Sequence, residues 1–369
     1  MDATPARLDI YRTAIAMRGF EHAAARRDLA EAIVVRLQLS DGRIGWGETL
    51  PRDYVTGETL ETVPADIEAE LWPRFCAEPD APLPQRLGGR AVTAAACALD
   101  VARADATLTG GDLAGARRIS ARVSGVLGSA DPARTATRLR LMRWFGLRDF
   151  KLKLGLGEEV DAENLRLVER RIGRAVAAGR CSLRVDVNGG WDAASTPDHV
   201  AALARRGVCV VEQPVFCGAG ELADLAGRCE LPLMADESLV TAEDAEALLG
   251  EPQRVWWNIR LSKNGGLRAA LTLARRASER GVTFTLGCMV GESCILSAAQ
   301  RRALQLGAGP RFVEGNYGRW LLAGDLSERS PRFSYGGRLR TLGGGGLGAM
   351  VSLRHLAKYG RLLRSLGVD

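Results

Sequence analysis

The chain has 369 residues, of which 46% are hydrophobic and 25% are charged, and its formal net charge is +6. These proportions are those of a globular protein, and the length accommodates one large domain with a smaller one, or two domains. Basic and acidic residues are interspersed along the whole chain without basic–aromatic runs, which argues against nucleic-acid binding. A modest positive charge suits an anionic small molecule as substrate.

The lack of targeting patterns and the spacing of the cysteines further limit the class of protein. The first residues lack the basic-then-apolar order of a secretory signal, and no run approaches the roughly eighteen apolar residues of a membrane span. The eight cysteines form no C-x-x-C pair, so neither a zinc site nor a disulfide framework is indicated. We therefore expect a reduced, cytoplasmic protein that does not enter membranes.

The N-terminal third predicts a small α+β domain. Residues 8–18 and 30–39 are rich in β-formers, Asp41-Gly42 is a hairpin turn signal, and 44–48 reads as the return strand. A loop at 51–60 follows, and helical patterns occupy 61–76 and 91–106. We assign residues 1–118 to this domain.

From residue 119 onward the sequence repeats a short apolar strand, a loop and an amphipathic helix. Strand signals fall at 120–126, 149–154, 182–187, 208–212, 233–236, 255–259, 283–286 and 312–314. Eight strands that alternate with helices predict a parallel α/β sheet closed into a (β/α)8 barrel over 119–320. An open doubly wound sheet is the alternative, but its usual glycine-rich phosphate loop is missing after the first strand. We expect the tail, 321–369, to end in a helix at 350–366 and to return to the N-terminal domain.

Lysine is rare in this chain. Only four of its fifty basic residues are lysines, and Lys151, Lys153 and Lys263 lie at the ends of the second and sixth predicted strands. Arginine keeps its proton near neutral pH, whereas an amine can lose it and act as an acid or a base. Lysines kept at these positions favour amine chemistry over the alternative of ordinary surface charges.

Acidic residues end three successive strands of the predicted barrel. Asp186, Glu212 and Asp236 are 26 and 24 residues apart, and strand ends of a barrel meet at one face. Three carboxylates share a site only when a cation compensates their repulsion, and oxygen ligands favour Mg²⁺ over zinc. Each acid alone could instead cap a helix or lie on the surface. All three at matched positions favour a metal site.

The second and sixth strands face each other across an eight-stranded ring, so Lys153 and Lys263 would flank the metal. Two such amines can act as a base on one face of a substrate and an acid on the other. The reaction that fits is removal of the weakly acidic proton next to a carboxylate, through an enolate stabilised by the metal. Lys151 either modulates Lys153 or binds the substrate carboxylate.

Five motifs in this order resemble the enolase superfamily, in the muconate-lactonizing subgroup of muconate cycloisomerases, dipeptide epimerases and o-succinylbenzoate synthases. They are Lys-x-Lys, Asp-x-Asn, Glu-Gln-Pro, Asp-Glu-Ser and Lys-Asn-Gly-Gly, beginning at Lys151, Asp186, Glu212, Asp236 and Lys263. The resemblance covers essentially the whole chain. It implies a modified TIM barrel under a capping domain that residues 1–118 form with the C-terminal tail.

The resemblance also implies roles for individual residues. Mg²⁺, or Mn²⁺ as a substitute, would be bound by the three acids, with Asn188 and Glu237 supporting them. Lys153 and Lys263 would be the acid/base groups and Lys151 their electrostatic partner. The mandelate-racemase subgroup uses a barrel histidine, but none of the three histidines (His22, His199 and His355) ends a predicted strand.

Substrate contacts are implied for four residues. Tyr54 and Thr56 lie on the capping loop at 54–58, which is expected to close over the substrate. Glu292 follows the seventh strand, in a loop one residue longer than is usual for the family. Dipeptide epimerases carry an acidic pair after strand eight that holds the substrate ammonium, and here Glu314 is the only acid of that region.

These features predict a Mg²⁺-dependent isomerase, a racemase, epimerase or cycloisomerase, that acts on a small-molecule carboxylate and assembles as a homo-oligomer. An o-succinylbenzoate synthase-like syn-dehydratase uses the same site, so a lyase is the first alternative. A non-catalytic barrel that binds a metal or an anion is the alternative of another class, and it would leave the retained lysines without a reason.

Overall fold

Two large sheets and the helices around them make up the chain in a computed structural model, which describes residues 3–22, 25–250 and 252–367, without the side chains of 19–27 and 319. The His22 side chain therefore lies outside the described residues. The strands are β1 (Pro5–His22), β2 (Ala25–Leu39), β3 (Ile44–Thr49), β4 (Arg86–Leu87), β5 (Arg90–Ala91), β6 (Gly125–Leu127), β7 (Asp149–Lys153), β8 (Ser182–Asp186), β9 (Val208–Glu212), β10 (Leu233–Ala235), β11 (Val255–Ile259), β12 (Phe284–Leu286), β13 (Phe312–Val313) and β14 (Gly360–Gly367).

The helices lie between these strands. They are α1 (Asp53–Thr56), α2 (Thr62–Asp66), α3 (Trp72–Ala77), α4 (Thr93–Thr107), α5 (Pro132–Trp144), α6 (Glu158–Ala177), α7 (Thr196–Ala204), α8 (Ala219–Gly227), α9 (Ala242–Ala247), α10 (Leu267–Glu279), α11 (Cys294–Gln305) and α12 (Leu353–Tyr359). In the described ranges, no helix has the length and apolar character needed to cross a bilayer.

The three N-terminal strands and the last strand of the chain form an antiparallel sheet in the order β14-β1-β2-β3. Alternate residues of β2 point to opposite faces: Ile33 and Val35 join a core with α4, while Val34 joins the core shared with the barrel. Helix α4 crosses β3 so closely that a Cβ atom at Gly45 or Gly47 would collide with backbone carbonyls of the helix. The two glycines of β3 are therefore a packing requirement.

The eight strands β6 to β13 form one parallel sheet in sequential order. The sheet closes between its first and last strands, where Val123 bridges Val313 and the amide of Ser124 donates to the carbonyl of Val313 at 2.8 Å. The predicted fold, a (β/α)8-type barrel with an α+β capping domain, is confirmed. Each strand lies at its predicted place, although the first is shortened to Gly125–Leu127.

The end of the chain differs from its prediction. The helix expected at 350–366 ends at Tyr359, and β14 follows and pairs antiparallel with β1, from Thr13 opposite Gly360 to Arg7 opposite Gly367. Glycine at 360 disfavours continuation of the helix. The free edge of β1 supplies hydrogen-bond partners for the backbone groups of the strand that point towards it. The return of the tail to the N-terminal domain is thus made by a strand.

The end of β3 and the loop after it attach the capping domain to the barrel. The carboxylate of Glu48 accepts hydrogen bonds from the amides of Ser293 and Leu296 at the start of α11. Oγ of Ser262, next to Lys263, accepts from the amide of Leu50 at 2.9 Å. These contacts fix the capping domain over the ends of the sixth and seventh barrel strands.

Candidate active site

Charged side chains from neighbouring strands point into the barrel. Lys151 and Lys153 share one face of β7, as Arg184 and Asp186 share one face of β8, because alternate residues of a strand lie on the same side. Glu212 is the last residue of β9. All five are buried, so each needs a partner of opposite charge.

Lys151 is surrounded by carboxylates. Its Nζ lies 3.4 Å from Asp186 Oδ2, 3.1 Å from Glu212 Oε2 and 2.8 Å from Glu314 Oε2. Burial alone would lower the pKa of Lys151, but the three carboxylates raise this pKa well above its usual value. The three carboxylates therefore favour the charged form of Lys151 in this arrangement.

Lys153 presents its amine to a cavity at the mouth of the barrel. The amine donates to Oδ1 of Asn188 at 3.0 Å and lies 3.3 Å from Asp186 Oδ2. Asn188 has a φ of 49°, a left-handed conformation that asparagine tolerates better than most residues. The turn after β8 thus orients the Lys153 amine.

Lys263 is held inside the wall of the barrel. Its Nζ donates to the carbonyls of Asp236 at 2.6 Å and Asn258 at 2.9 Å, and it lies 3.1 Å from Asp236 Oδ1. Burial lowers the pKa of Lys263, and Asp236 opposes this effect. Lys263 is not one of the described residues that line the cavity.

Arg260 was not anticipated from the sequence. Directly after β11, its guanidinium contacts Asp236 Oδ2, and the same nitrogen lies 3.5 Å from Glu212 Oε1. Arg260 also lines the cavity. It was overlooked because arginine occurs throughout the chain, although its place immediately after the sixth strand is the signal by which the other site residues were found.

Glu314 pairs with two buried cations. Oε1 lies 2.8 Å from Nη1 of Arg184, and Oε2 lies 2.8 Å from Nζ of Lys151. Burial alone would raise the pKa of Glu314, but Lys151 and Arg184 lower it to about 2. Arg184, a second residue missed from the sequence, stacks over the ring of Phe312 at 4.4 Å. In the sequence, Arg184 could have been noticed as a charged residue inside an otherwise apolar strand.

The three acids at the strand ends suit a hard cation. Asp186, Glu212 and Asp236 are fully buried, and Asp186 Oδ2 and Asp236 Oδ1 accept no hydrogen bond from the described residues. Burial raises the pKa of Glu212 to about 7; Lys151 opposes this rise, and the neighbouring carboxylates add to it. Carboxylate oxygens are ligands that Mg²⁺ and Mn²⁺ prefer. Such an ion would also compensate the repulsion between these three acids.

The present arrangement compensates these acids with protein cations. In the described part of the chain, no three acidic, histidine or cysteine side chains are gathered closely enough to hold an ion as they stand. The guanidinium of Arg260 lies between Glu212 and Asp236. An ion bound by these oxygens would therefore take the place of Arg260.

The cavity lies between the barrel and the capping domain. It is lined by Arg52, Tyr54, Val126, Lys151, Lys153, Asn188, Glu237, Arg260, Cys288, Met289, Val290, Glu314, Tyr317 and Leu321. Tyr54 comes from α1 of the capping domain and is partly exposed. Burial, with Asp236 nearby, raises the pKa of Glu237 to about 8.

Two residues predicted to meet the substrate, Thr56 and Glu292, make other contacts in this structure. Oγ1 of Thr56 is buried and accepts a hydrogen bond from the amide of Glu58. The carboxylate of Glu292 accepts from the amide of Met289 at 2.7 Å, and burial raises the pKa of Glu292 to about 8. Neither Thr56 nor Glu292 belongs to the described lining.

Gln213 joins the ends of three strands. Its Oε1 accepts from the amides of Asp236 at 2.9 Å and Ser238 at 3.1 Å, and its carbonyl accepts from the amide of Gly189 at 2.7 Å. The residue is fully buried and has a φ of 34°. A non-glycine residue is held in this conformation only by its surroundings. Gln213 thereby fixes the backbone that carries Asp236.

The chain is similar to known proteins both in sequence and in structure. The family described as "Enolase C-terminal domain-like" matches residues 133–355. An L-Lys-D/L-Arg epimerase of Methylococcus capsulatus is 31% identical over 86% of this chain and 90% of its own. An N-succinyl-L-Arg/Lys racemase of Bacillus cereus is 29% identical over 73% of this chain and 74% of its own. The structure of a muconate lactonizing enzyme from Pseudomonas putida superposes with a TM-score of 0.79 and 26% identity, over 97% of this chain and all of the other.

Proposed function

Because this chain belongs to the enolase superfamily, we propose that it is a Mg²⁺-dependent isomerase that inverts the carbon next to a substrate carboxylate. The observation that carries the proposal is the amine of Lys153 at the cavity wall, beside the carboxylate of Asp186. Relatives that racemise or epimerise amino-acid derivatives support this reaction over others. Cycloisomerisation, the activity of a further relative from Pseudomonas putida, is the second form of the same proposal.

Asp186, Glu212 and Asp236 would hold the metal ion, with Mn²⁺ able to replace Mg²⁺. The bound ion supplies Lewis-acid stabilisation of negative charge on the substrate carboxylate. Lys151, whose charge its carboxylate partners maintain, adds a fixed positive charge to the same region. Such preorganised charges are worth most in a site that excludes water.

The protons would be moved by two lysines. Lys153, oriented by Asn188, removes the proton from one side of the substrate carbon. Lys263 extends from the loop after β11, which lies four strands from β7 in the ring and thus opposite it, and it returns a proton from the other side. Burial lowers the pKa of Lys263, which suits proton transfer near neutral pH.

The test is solvent exchange in D₂O, followed by NMR, with N-acyl amino acids, dipeptides and muconates in the presence of Mg²⁺. Lys153→Ala and Lys263→Ala should each slow exchange by about 10²–10⁴-fold. Lys358→Ala is the matched control, because Lys358 lies on α12, outside the cavity lining, and should leave exchange unchanged. Exchange at the wild-type rate in both site variants would overturn the two-lysine mechanism.

The same experiment separates the alternatives. A syn-dehydratase would release water and give an unsaturated product, which mass spectrometry detects. A non-catalytic barrel would bind Mg²⁺ and exchange none of the compounds. We further propose a homo-oligomer located in the cytoplasm. Light scattering of the purified protein tests the assembly, and cell fractionation tests the location.

A further inference from the structure

The turn after β8 carries the residue that orients the Lys153 amine. Oδ1 of Asn188 accepts from this amine at 3.0 Å, and the backbone amide of Asn188 donates to Oδ1 of Asp186 at 3.1 Å. Asn188 has a φ of 49°, and a non-glycine residue keeps such a conformation only where its surroundings hold it. The direction of the Lys153 amine therefore depends on what holds this turn.

The turn after β9 lies alongside and supplies backbone partners. The amide of Gly189 donates to the carbonyl of Gln213 at 2.7 Å, and the amide of Trp191 donates to the carbonyl of Pro214 at 2.9 Å. These hydrogen bonds fix the separation of the two turns beyond the ends of their strands. They also bring Phe216, two residues after Pro214, against the first turn.

The ring of Phe216 lies directly on Gly189. A Cβ atom at position 189 would collide with three ring atoms of Phe216. Gly189 has a φ of 74°, a left-handed conformation that favours glycine. Phe216 is 60% exposed, so its ring adds less to the hydrophobic core than a buried ring would. Its contact with Gly189 covers the backbone next to Asn188.

We propose that Phe216 is a positioning residue for Lys153, whose ring holds the backbone of Gly189 and, through it, the side chain of Asn188 that directs the amine into the cavity. The role rests on the isomerase function proposed above and extends it to a residue outside the five sequence motifs. Phe216 is not part of the described cavity lining, whereas Asn188 and Lys153 are. It therefore acts through Asn188 and does not touch a ligand.

The dependence of Lys153 on Asn188 follows from its small number of partners. Besides Asn188, its amine has Asp186, whose Oδ2 lies 3.3 Å away and which is a proposed metal ligand. If Asp186 holds an ion, the neutral oxygen of Asn188 is the partner that remains. A lysine side chain is long and flexible, and proton transfer needs the amine within hydrogen-bond reach of the substrate carbon. Loss of the Phe216 ring should therefore slow turnover more than it weakens substrate binding.

Kinetics of three variants test the role. For α-proton exchange in D₂O, with the best substrate among the N-acyl amino acids, dipeptides and muconates, we expect Phe216→Ala to lower kcat about tenfold. KM should stay within about twofold of the wild type, because ground-state binding is retained. Phe216→Tyr keeps the ring and should restore the wild-type kcat.

Tyr335→Ala is the matched control for these kinetics. Tyr335 is also an exposed ring, at 66%, and it lies against a left-handed glycine, Gly146. Gly146 precedes β7, so this contact lies at the end of the barrel strands opposite to Asn188. Tyr335 is outside the described cavity lining, and its replacement should leave kcat unchanged.

A second glycine variant tests the contact itself. Gly189→Ala places a methyl group where the Phe216 ring lies, and it also strains the left-handed backbone. The strain is common to both backgrounds and cancels in a double-mutant cycle, whereas the collision is present only with the ring. We expect Gly189→Ala to lower kcat about tenfold more in the wild type than in Phe216→Ala, a coupling of the size that contacting residues show.

Chemical labelling follows the Lys153 amine without any substrate. Limited acetylation with acetic anhydride, read by peptide mass spectrometry, gives the rate at Lys153 relative to that at Lys358, which is exposed on α12. In Phe216→Ala this ratio should rise about fivefold, the size of effect expected when one hydrogen bond to the amine is lost. Phe216→Tyr and Tyr335→Ala should keep the wild-type ratio.

The outcomes distinguish the role of Phe216 from the isomerase function. An unchanged labelling ratio in Phe216→Ala, an unchanged kcat, or strictly additive effects of Gly189→Ala and Phe216→Ala would each overturn the positioning role and leave the isomerase function standing. Absence of exchange in the wild type with every compound, with Mg²⁺ bound as judged by calorimetry, would overturn the isomerase function and with it the role of Phe216 in turnover.

Discussion

The guanidinium of Arg260 is in direct contact with the carboxylate of Asp236 at the mouth of the barrel. The same guanidinium nitrogen lies 3.5 Å from Glu212, so one protein cation bridges two of the three proposed metal ligands. A dication that binds these oxygens has to displace it. Arg260 is thus a counter-ion of the metal-free site.

Removal of Arg260 is expected to tighten metal binding. In Arg260→Gln the acids keep their oxygens and lose a competing cation, so Mn²⁺ should bind about tenfold more tightly, equivalent to about 1.4 kcal/mol. Electron paramagnetic resonance of free Mn²⁺ measures this directly. Arg268→Gln is the matched control, since Arg268 pairs with Asp100 and lies outside the cavity lining. Weaker Mn²⁺ binding in Arg260→Gln would show that Arg260 supports the ligands.

Replacement of Gln213 is expected to weaken metal binding, which is opposite to the effect of replacing Arg260. Its side chain holds the amides of Asp236 and Ser238, and partners that orient metal ligands typically change affinity about 10–100-fold when lost. We expect Gln213→Leu to weaken Mn²⁺ binding within this range. Mn²⁺ titration of this variant beside Arg260→Gln provides an internal reference, because the two changes in affinity should have opposite signs. Unchanged affinity would mean that Asp236 is fixed without Gln213.

The buried carboxylate of Glu314 is expected to make the stability of the protein depend on pH in the acid range. Lys151 and Arg184, working against burial, lower its pKa to about 2, below that of unfolded glutamate, about 4.3. The group therefore stabilises the folded state above about pH 4.3, and this contribution is lost as the pH falls towards 2. Glu314→Gln should lower the free energy of unfolding by about 3–5 kcal/mol at pH 7, because two buried cations lose their partner.

Urea denaturation between pH 7 and pH 3 measures the effect of Glu314. The variant should show a smaller loss of stability across the acid range than the wild type. Glu279→Gln, which removes an exposed carboxylate 3.9 Å from Arg275, serves as the control and should leave both quantities unchanged. Identical acid slopes for wild type and Glu314→Gln would count against the assignment.

The buried carboxylate of Glu48 is expected to make the stability of the protein depend on pH near neutrality. Burial raises its pKa to about 7, although the amides of Leu296 and Ser293 oppose this. Because the folded pKa lies above the unfolded one, the stabilising contribution is complete below about pH 4.3 and is lost as the pH rises through 7. Glu48→Gln should flatten this part of the stability curve and, at pH 5, cost about 1–3 kcal/mol of unfolding free energy through lost acceptors.

Hydrogen exchange locates the effect of Glu48. The amides of Ser293 and Leu296 should exchange faster in Glu48→Gln, because this carboxylate holds them across the domain boundary. Glu58→Gln is the matched control: its pKa is also raised to about 7 by burial, and its carboxylate binds amides of α4 within the capping domain. Equal protection of the α11 amides in both variants would contradict this role of Glu48.

The barrel and its charged strand ends were predictable because both depend on local patterns. A buried parallel strand is a short apolar run, and a charged residue at its end is visible from the sequence as Asp186 and Glu212 are. Arg184 and Arg260 satisfied the same patterns and were missed because arginine is common in this chain. The last strand was missed because β14 depends on the free edge of β1, which lies more than 340 residues earlier.

The sequence by itself determined the order of the strands and which acids, amines and amides stand at their ends, because these follow from alternation and spacing along the chain. Only the tertiary structure decided which of them face the cavity. Lys153 lines it while Lys263 is held in the wall by Asp236 and two carbonyls, and Glu292 turns back to its own loop. Side-chain direction at a strand end depends on the partners that packing brings within hydrogen-bond distance, and those partners come from distant parts of the chain.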